Sequence, residues 1–171
     1  MPMQISIADR SSDPAVLARL FSRNISADYI SHSELQGRRA PAPGAWAQDV
    51  ESVFRDEIAA RLGEPLDRFP PDRDWKGIIE ARRDGALIGM AFVSFTRDAP
   101  VPFGWLEDIV VEQALRGEGH GERMIEWIAE RFREAGIRRL FLESGIGNDA
   151  AHHLFERLGF KAVSIVMMRD L

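Results

Sequence analysis

The sequence predicts an α/β (α+β) domain built around one central sheet. Its second half alternates β-like runs with amphipathic helical segments, which is typical of a sheet with helices packed on its faces. Earlier in the chain, Asp84-Gly85 joins two β-like runs and predicts an antiparallel hairpin. The chain has 171 residues, about the size of one domain, and it shows no linker or internal repeat. We therefore expect a single domain over residues 1–171.

The N-terminal segment predicts a short strand followed by a helix. Gln4–Ala8 alternates polar and apolar residues, as a half-buried strand does. Asp13 and Pro14 then supply a helix N-cap and a first-turn proline. A second short helix is predicted around Ile30 and Leu35, inside a longer irregular segment of the kind that often forms a binding loop or lid.

A long amphipathic helix is predicted next, and Gly63 is a suitable C-terminal cap for it. Its apolar positions recur at helical spacing: Trp46, Val50, Val53, Phe54, Ile58 and Leu62. Prolines then force a loop before two strands, Lys76–Arg83 and Ala86–Phe95. The Asp84-Gly85 pair between these strands is the hairpin signal noted above.

The second half continues with a strand at Trp105–Val111 and a helix at Glu122–Ala135. The next strand is predicted at Arg139–Glu143. A further helix follows, ended by Gly159, and its inner stripe consists of Ala151, Leu154, Phe155 and Leu158. A last strand is expected at Lys161–Met168.

Composition and charge exclude several classes of function. The formal net charge is −5 and the isoelectric point about 5.4, so we expect no nucleic-acid binding and a mild preference for a cationic partner. The chain has no cysteine, which excludes disulfides, thiolate metal sites and an acyl-cysteine intermediate. The N-terminal residues lack the basic region and the long apolar region of a secretory signal, and no apolar segment approaches membrane-spanning length. We expect a cytoplasmic protein that binds neither membrane nor metal.

A glycine-rich loop lies between a predicted strand and a predicted helix, with the sequence Arg116-Gly117-Glu118-Gly119-His120-Gly121. Closely spaced glycines let the backbone approach a ligand, and the unpaired amides at the start of the next helix favour an anion, above all a phosphate. No Lys-Ser or Lys-Thr pair follows, as a P-loop needs. The dinucleotide fingerprint lacks its third glycine, whose place falls on Glu122 or Met124. The pattern RxxGxG remains.

This loop and the residues after it resemble the GNAT superfamily of N-acetyltransferases, whose pyrophosphate loop is written Q/RxxGxG/A and follows the fourth strand. The likeness continues with Glu143, Asn148, Ala151 and the run LFERLGF at Leu154–Phe160. It covers about half the chain and is nearest to the acetyltransferases that modify ribosomal-protein N-termini. Leu106–Val111 also resembles the fourth strand of glucosamine-6-phosphate acetyltransferases.

The resemblance implies the GNAT fold, with a mixed, mostly antiparallel sheet of six to seven strands, about four flanking helices and a splayed strand pair that holds the coenzyme. It implies acetyl-CoA (coenzyme A) as the cofactor. Backbone groups of Ile109, Val110 and Val111 would hold the pantetheine arm, and Asn148 would contact it while also capping a helix. The pyrophosphate would be bound by Arg116, Gly117, Glu118, Gly119, His120 and Gly121.

Acetyl transfer to an amine needs a base, because the amine has a pKa near ~10 and must lose its proton. We expect Glu107 to be the first candidate, on the fourth strand. Glu143 is the second, since it matches the base position of the ribosomal-protein branch, and Asp108 is the third. In a regular strand Glu107 and Asp108 would point to opposite faces, so at most one would face the acceptor.

One departure from the family concerns the leaving thiolate. The family commonly has a tyrosine where this chain has Phe155, and phenylalanine cannot donate a proton. The thiolate would then leave unprotonated or take a proton from water, Ser144 or a histidine; the only tyrosine, Tyr29, is far away in sequence. We expect an N-acetyltransferase that acts by direct attack in a ternary complex, on a small-molecule amine or a peptide N-terminus. A non-catalytic acyl-CoA-binding module is the alternative, and a homodimer is possible on this fold.

Overall fold

The computed structural model describes residues 2–171, and within this range a five-stranded sheet runs in the order β1-β2-β3-β4-β5. Neighbouring strands pair antiparallel from β1 to β4, whereas β4 and β5 are parallel. The sheet is therefore mixed and mostly antiparallel, as predicted, with fewer strands than expected. The strands are β1 (Gln4–Ile7), β2 (Trp75–Arg83), β3 (Ala86–Thr96), β4 (Phe103–Val111) and β5 (Arg139–Leu142).

The helices lie close to the predicted segments. They are α1 (Pro14–Arg23), α2 (His32–Gln36), α3 (Val50–Ala59), α4 (His120–Glu134) and α5 (Asp149–Arg157). Asp13 caps α1 as predicted, because its carboxylate accepts a 2.8 Å hydrogen bond from the Ala15 amide. None of these helices within residues 2–171 has the length and apolar character needed to cross a membrane.

Helix α3 is shorter than the sequence pattern predicts. It ends at Ala59, and Gly63 is not its cap. The carbonyl of Gly63 instead accepts a 2.9 Å hydrogen bond from the Arg10 amide, and Gly63 forms a bridge with Asp9. These bonds to the end of the first strand draw the chain away from the helix axis.

Two apolar layers cover the two faces of the sheet. One contains Phe21 of α1, Phe54 of α3 and Phe92 of β3, all fully buried. The other contains side chains of α4 and α5, with Phe132 and Phe155 packed against the opposite face. This arrangement places the sheet between two helical layers, with β4 next to the edge strand β5.

Strand β4 contains a β-bulge at Glu107. Phe92 of β3 pairs with Asp108, but the next residue, Val93, pairs with Leu106, so Glu107 is the extra residue. A bulge shifts the alternation of side chains by one position. Leu106 consequently packs in the α4 and α5 layer, and so does the side chain of Ile109, three residues later.

All four residues of β5 pair with β4, which continues beyond the last pair, Leu106 with Leu142, to Val111. Beyond Leu106, β4 has no partner strand on its β5 side among the described residues, and a cleft lies between it and the chain that follows Leu142. This is the arrangement that the predicted splayed strand pair requires. The edge of β4 that faces this gap is the structural basis of the candidate site.

The strand predicted at Lys161–Met168 is wrong. No regular element is found in this segment, and its side chains are exposed along its whole length. A strand needs a neighbouring edge that pairs with its amides and carbonyls. In the described chain the segment beyond Phe160 has no such neighbour, so an apolar, strand-like sequence remains unpaired.

Candidate active site

A cleft opens where β4 and β5 separate, with a cavity volume of about 60 Å³. It brings together residues that are distant in sequence, including all three candidate carboxylates. The residues that line the cleft are Tyr29, Ser31, Glu34, Leu106, Glu107, Asp108, Ile109, Leu142, Glu143, Ser144, Asn148, Ala151 and Phe155. Sequence reasoning singled out several of these, but not the contribution of Tyr29, Ser31 and Glu34.

The bulge sends Glu107 and Asp108 toward the same helical layer. Glu107 pairs with Arg61 and Asp108 pairs with Arg39, and both guanidinium groups lie 5.1 Å from the centre of the Phe92 ring. The prediction that the two carboxylates point to opposite faces is therefore wrong. The prediction assumed a regular strand, whereas the extra residue of the bulge places both side chains on the same face of the sheet.

Both carboxylate oxygens of Glu107 are hydrogen-bonded. Arg61 lies 2.6 Å from Oε2, and the hydroxyl of Ser94 donates to Oε1 at 2.6 Å. The Nη1 atom of Arg61 is buried and has no hydrogen-bond partner among the described residues. Glu107 is thus held in place by one partner at each carboxylate oxygen.

Asp108 is almost completely buried, with its side chain 3% exposed. Burial raises the pKa of its carboxyl to about 6, while the Arg39 guanidinium, 2.9 Å away, opposes the rise. Arg39 also binds Glu34 and Glu57, so a single cation serves three carboxylates. The excess of negative charge, with Glu34 close by, helps keep the pKa of Asp108 above its ordinary value.

Tyr29 is the functional candidate that sequence reasoning missed. Its hydroxyl donates to Asp108 Oδ1 at 2.8 Å and accepts a 3.2 Å hydrogen bond from the amide of Ile109. Burial, and then the charge of Asp108, raise its pKa well above the usual value for tyrosine. Two features of the sequence could have pointed to Tyr29. It is the only tyrosine of the chain, and it lies in the irregular segment that is predicted to form a binding loop or lid.

A glycine allows the segment around Tyr29 to approach β5. A Cβ atom at Gly145 would lie 2.1 Å from the carbonyl oxygen of Asp28 and 2.7 Å from that of Ile30. Both are backbone atoms, which cannot move aside without shifting the chain. The absence of a side chain at Gly145 therefore sets the depth at which Tyr29 enters the cleft.

Glu143 follows β5 and faces the N-terminal segment across the cleft. The hydroxyl of Ser31 donates to its Oε1 at 3.1 Å, and His32 Nε2 lies 3.1 Å from Oε2. Ser31 is also the N-cap of α2, where its amide donates to Glu34 at 2.8 Å. Its hydroxyl lies 2.8 Å from the same carboxylate, so its single proton is shared between Glu34 and Glu143. The capping box thereby fixes the position from which Ser31 and His32 contact Glu143.

The glycine loop leads into α4 as predicted. Gly117 and Gly119 have φ angles of 85° and 79°, a region that favours glycine, and Gly119 is the N-cap of α4. Arg83, 2.9 Å away, and then His120 lower the pKa of the Glu118 carboxyl. His120 itself is buried beside them, at 3.2 Å from Glu118. The side chain of Glu118 is thus neutralised by neighbours, while the helix N-terminus presents backbone amides.

Arg116 anchors the loop to the first helix. Its Nη2 donates to the carbonyl oxygen of Asn24 at 2.5 Å, and the side chain of Asn24 accepts a 2.7 Å hydrogen bond from the Gln113 amide. The guanidinium group of Arg116 is thus bonded within the protein and is not directed only toward a phosphate. Its role in binding the coenzyme remains a prediction.

Two further predicted cofactor contacts lie at the cleft. Ile109, Val110 and Val111 form the part of β4 beyond its pairing with β5, but the Ile109 amide is bonded to Tyr29. Asn148 is the N-cap of α5 by position, but its side chain makes no capping hydrogen bond to the described first turn. It lines the cleft instead. The side-chain amide of Asn148 is therefore not used as a helix cap.

Comparison with known proteins identifies related sequences and structures. The sequence model of the acetyltransferase (GNAT) family matches residues 44–160. An IAA acetyltransferase from Azospirillum brasilense is 30% identical over 126 residues, which cover 72% of this chain and 81% of that protein. A mycothiol acetyltransferase from Cellulomonas flavigena is 25% identical over 153 residues, 85% of this chain but only 38% of that protein.

A solved structure shares the fold. The aminoglycoside N-acetyltransferase AAC(6')-Iy, determined in complex with CoA, superposes with a TM-score of 0.64 at 18% identity. The match covers 99% of this chain and 95% of that chain. At this level of identity the comparison concerns the fold, and it extends over the whole sheet and both helical layers.

Proposed function

Because this chain belongs to the acetyltransferase (GNAT) family, we propose that it is an N-acetyltransferase that transfers an acetyl group from acetyl-CoA to a primary amine. The observation that carries the proposal is the cleft between the splayed strands β4 and β5. Glu107, Asp108 and Glu143 line this one cavity, and a glycine loop lies between the end of the same strand β4 and the N-terminus of α4. We treat residues 1–171 as one catalytic domain.

The glycine loop fits the phosphates of coenzyme A. Around Gly117 no heavy atom of the described chain lies within 4 Å of the place of a Cβ atom, so a ligand can approach the backbone. The first amides of α4, a helix of 15 residues, favour an anion there. Bound there, acetyl-CoA would supply the activated thioester, and the edge of β4 from Ile109 to Val111 would align its arm.

We assign the role of general base to Glu143. It lines the cleft with its side chain 22% exposed, and its hydrogen-bond partners are the hydroxyl of Ser31 and the imidazole of His32 rather than an arginine. The incoming amine gives its proton to Glu143 as it attacks the thioester carbon. His32, about one-third exposed, can then pass that proton toward solvent.

Glu107 fits a different role in this geometry. Its bonds to Arg61 and Ser94 orient it toward the cleft, so it can hold the acceptor amine or its neighbouring groups. The reverse assignment, with Glu107 as the base, involves the same two carboxylates. Asp108 is too deeply buried to meet an acceptor, and it positions Tyr29 instead.

Tyr29 supplies the hydroxyl that Phe155 lacks. Both residues line the cleft, and the Tyr29 hydroxyl lies at the point where the strands separate. Its raised pKa keeps it protonated. Its single proton is donated to Asp108 in this structure, so a hydrogen bond to the leaving thiolate would require the hydroxyl to rotate away from Asp108. The thiolate, with an ordinary pKa near ~8.5, then takes its proton from solvent.

The acceptor class follows from the cleft and the charge of the chain. A small-molecule amine or a peptide N-terminus fits a site lined by carboxylates, and the net charge of −5 attracts a cationic acceptor. A ternary complex with direct attack is proposed, because the chain has no cysteine that could carry the acetyl group.

The proposal is tested by calorimetric titration with acetyl-CoA and with CoA, followed by measurement of free thiol with a panel of amines. Binding together with acceptor-dependent thiol release supports it. Binding without release for any amine would favour the alternative, a regulatory module that binds acyl-CoA. No binding of either compound would overturn the assignment of the glycine loop.

A further inference from the structure

Three aromatic rings lie side by side on strands β4 and β5, outside both apolar layers. The ring centres of Trp105 and Phe141 are 5.3 Å apart, with an angle of 32° between the ring planes. Those of Phe103 and Phe141 are 5.8 Å apart in an edge-to-face contact. All three side chains are partly exposed, and none belongs to either apolar layer of the described chain. We call Phe103, Trp105 and Phe141 the aromatic platform.

The aromatic platform lies on the same side of the sheet as Glu107. Trp105 pairs with Ser94 of β3, and directly paired residues point to the same side. The hydroxyl of Ser94 donates to Glu107 at 2.6 Å, so Trp105 and Glu107 share that side. Trp105 also pairs with Phe141, and Phe103 precedes it by two positions on β4. The platform therefore extends along β4 from the carboxylate of Glu107.

The helices leave this part of the sheet open. On β3, the apolar layer of α1 and α3 in the described chain extends to Phe92, and the next residue on that side is Ser94. Ser94 and Thr96 are both partly exposed, and they pair with Trp105 and Phe103. Grouped apolar side chains at a surface often mark a groove that binds a ligand. Here the group adjoins the proposed active site.

An amine that carries an aromatic ring fits this arrangement. Aromatic rings attract one another in offset and edge-to-face contacts, and the face of an indole ring attracts a cation. Glu107 follows Trp105 by two positions, roughly 7 Å along a strand, so a short linker lets the ring contact the platform while the amine reaches the cleft. Glu107 and Glu143 both line that cleft, and their carboxylates favour the cationic form in which an amine arrives.

We propose that the acceptor is an arylalkylamine, a primary amine joined by a short chain to an aromatic ring, and that this ring packs on Trp105 beside Phe103 and Phe141. The inference rests on the proposed function, because it names the acceptor of that reaction. The nitrogen forms its bond to the thioester carbon as the bond from that carbon to sulfur breaks, the proton goes to Glu143, and CoA leaves as the thiolate. A free arylalkylamine and a peptide with an N-terminal phenylalanine share this chemistry.

The first test compares acetylation of phenethylamine and cyclohexylethylamine, which have the same linker but differ in whether the ring is aromatic. We expect kcat/KM to be about five- to tenfold higher for phenethylamine. Trp105→Leu should abolish this preference, and Trp105→Phe should retain part of it. Trp127→Leu, which changes a partly buried tryptophan in the opposite apolar layer, is the matched control and should keep the full preference. Equal kcat/KM values in the unmodified protein, or a preference that survives in Trp105→Leu, would overturn the inference.

Calorimetric titration of both amines into the protein saturated with CoA separates this inference from the proposed function. Tighter binding of phenethylamine that is lost in Trp105→Leu, without thiol release from acetyl-CoA, would support the aromatic platform and overturn the acetyl transfer. Equal acetylation of both amines would support the acetyl transfer and overturn the platform. If phenethylamine is neither bound nor acetylated, both are overturned.

Tripeptides that begin with phenylalanine or with cyclohexylalanine repeat the comparison for a peptide acceptor. A preference for the aromatic ring supports the inference in either case, and the acceptor with the higher kcat/KM distinguishes a peptide from a free amine. Circular dichroism verifies that each variant is folded.

Discussion

The hydroxyl of Tyr29 donates a 2.8 Å hydrogen bond to Oδ1 of Asp108, across 79 positions of sequence. The same hydroxyl accepts from the amide of Ile109, the residue after Asp108. One side chain thus ties the irregular N-terminal segment to β4 just beyond its bulge. The position of this segment and the conformation of the strand edge depend on each other.

Tyr29→Phe should lower kcat by about 10²-fold, in the range found when a positioned hydrogen-bond donor to a developing charge is removed. The KM for the acceptor should change little, since the ring remains in place. Thiol release under saturating acetyl-CoA measures the effect. Phe155→Tyr in the Tyr29→Phe background is the informative second variant: it returns a hydroxyl to the same cleft and should recover part of the loss. Full turnover in Tyr29→Phe would exclude the assigned role.

Glu143→Gln should lower kcat by about 10²- to 10⁴-fold, because the amide cannot accept the proton of the amine. Glu107→Gln should mainly raise the KM for the acceptor. Both substitutions keep the size of the side chain. Steady-state kinetics over a range of pH separates the two cases. Unchanged turnover in both variants would mean that neither carboxylate is the base, and the reverse pattern would assign the role to Glu107.

Arg39→Met should destabilise the fold by about 3–5 kcal/mol, because it leaves buried carboxylates without their cation. Arg39 binds Glu34, Glu57 and Asp108, and two of these side chains are at most 3% exposed. Urea unfolding measures the loss. As a control, Arg55→Met removes an exposed pair with Asp56 and should cost less than about 1 kcal/mol. Equal losses of unfolding free energy in the two variants would show that the buried ion pairs of Arg39 stabilise the fold no more than an exposed pair does.

The stability of the protein should fall as pH rises from about 4 to about 6, to the extent that Asp108 contributes. Its pKa is raised to about 6 from an ordinary value of 3.8, so the folded state holds this proton over a window in which the unfolded chain has lost it. Relative to Asp108→Asn, the free energy of unfolding should drop by up to about 3 kcal/mol between pH 4 and 7. Urea curves of both proteins at several pH values provide the check, and parallel pH profiles would contradict it.

Gly145→Ala should reduce both stability and kcat. The new methyl group meets backbone oxygens at 2.1 and 2.7 Å, so the segment that carries Tyr29 must move, at a cost of about 1–3 kcal/mol. Gly63→Ala, where a Cβ atom has no neighbour within 4 Å in the described chain, should leave activity unchanged. Thermal unfolding and thiol release are measured on both variants. An active, stable Gly145→Ala enzyme would show that the close approach is not needed.

The features that the sequence predicts well are those with a local cause. The turn at Asp84-Gly85 appears where expected, since both residues have positive φ values of 52° and 81°. Asp13 caps its helix, and the glycines of the loop lead into α4 with the expected backbone. In each case a few neighbouring residues determine the conformation, so a local pattern is sufficient.

The features that the sequence did not reveal have a long-range cause. The bulge at Glu107 depends on how β3 and β4 align, and no residue type in the strand marks it. The approach of Tyr29 to Asp108 depends on Gly145, which lies far from both in sequence. The tail was predicted as a strand from its own pattern, but pairing also needs a neighbouring edge, and in the described chain the tail lies against none.

Phe92 is fully buried, yet it is the shared support of two arginines that serve different carboxylates. The guanidinium groups of Arg39 and Arg61 lie 5.1 Å from the same ring centre. An acceptor with an anionic group that drew Arg61 away from Glu107 would change the packing on this ring. The change would alter the contact of Arg39 with the same ring. Recognition of the acceptor on one side of the cleft would in this way be transmitted to Asp108 and Tyr29 on the other.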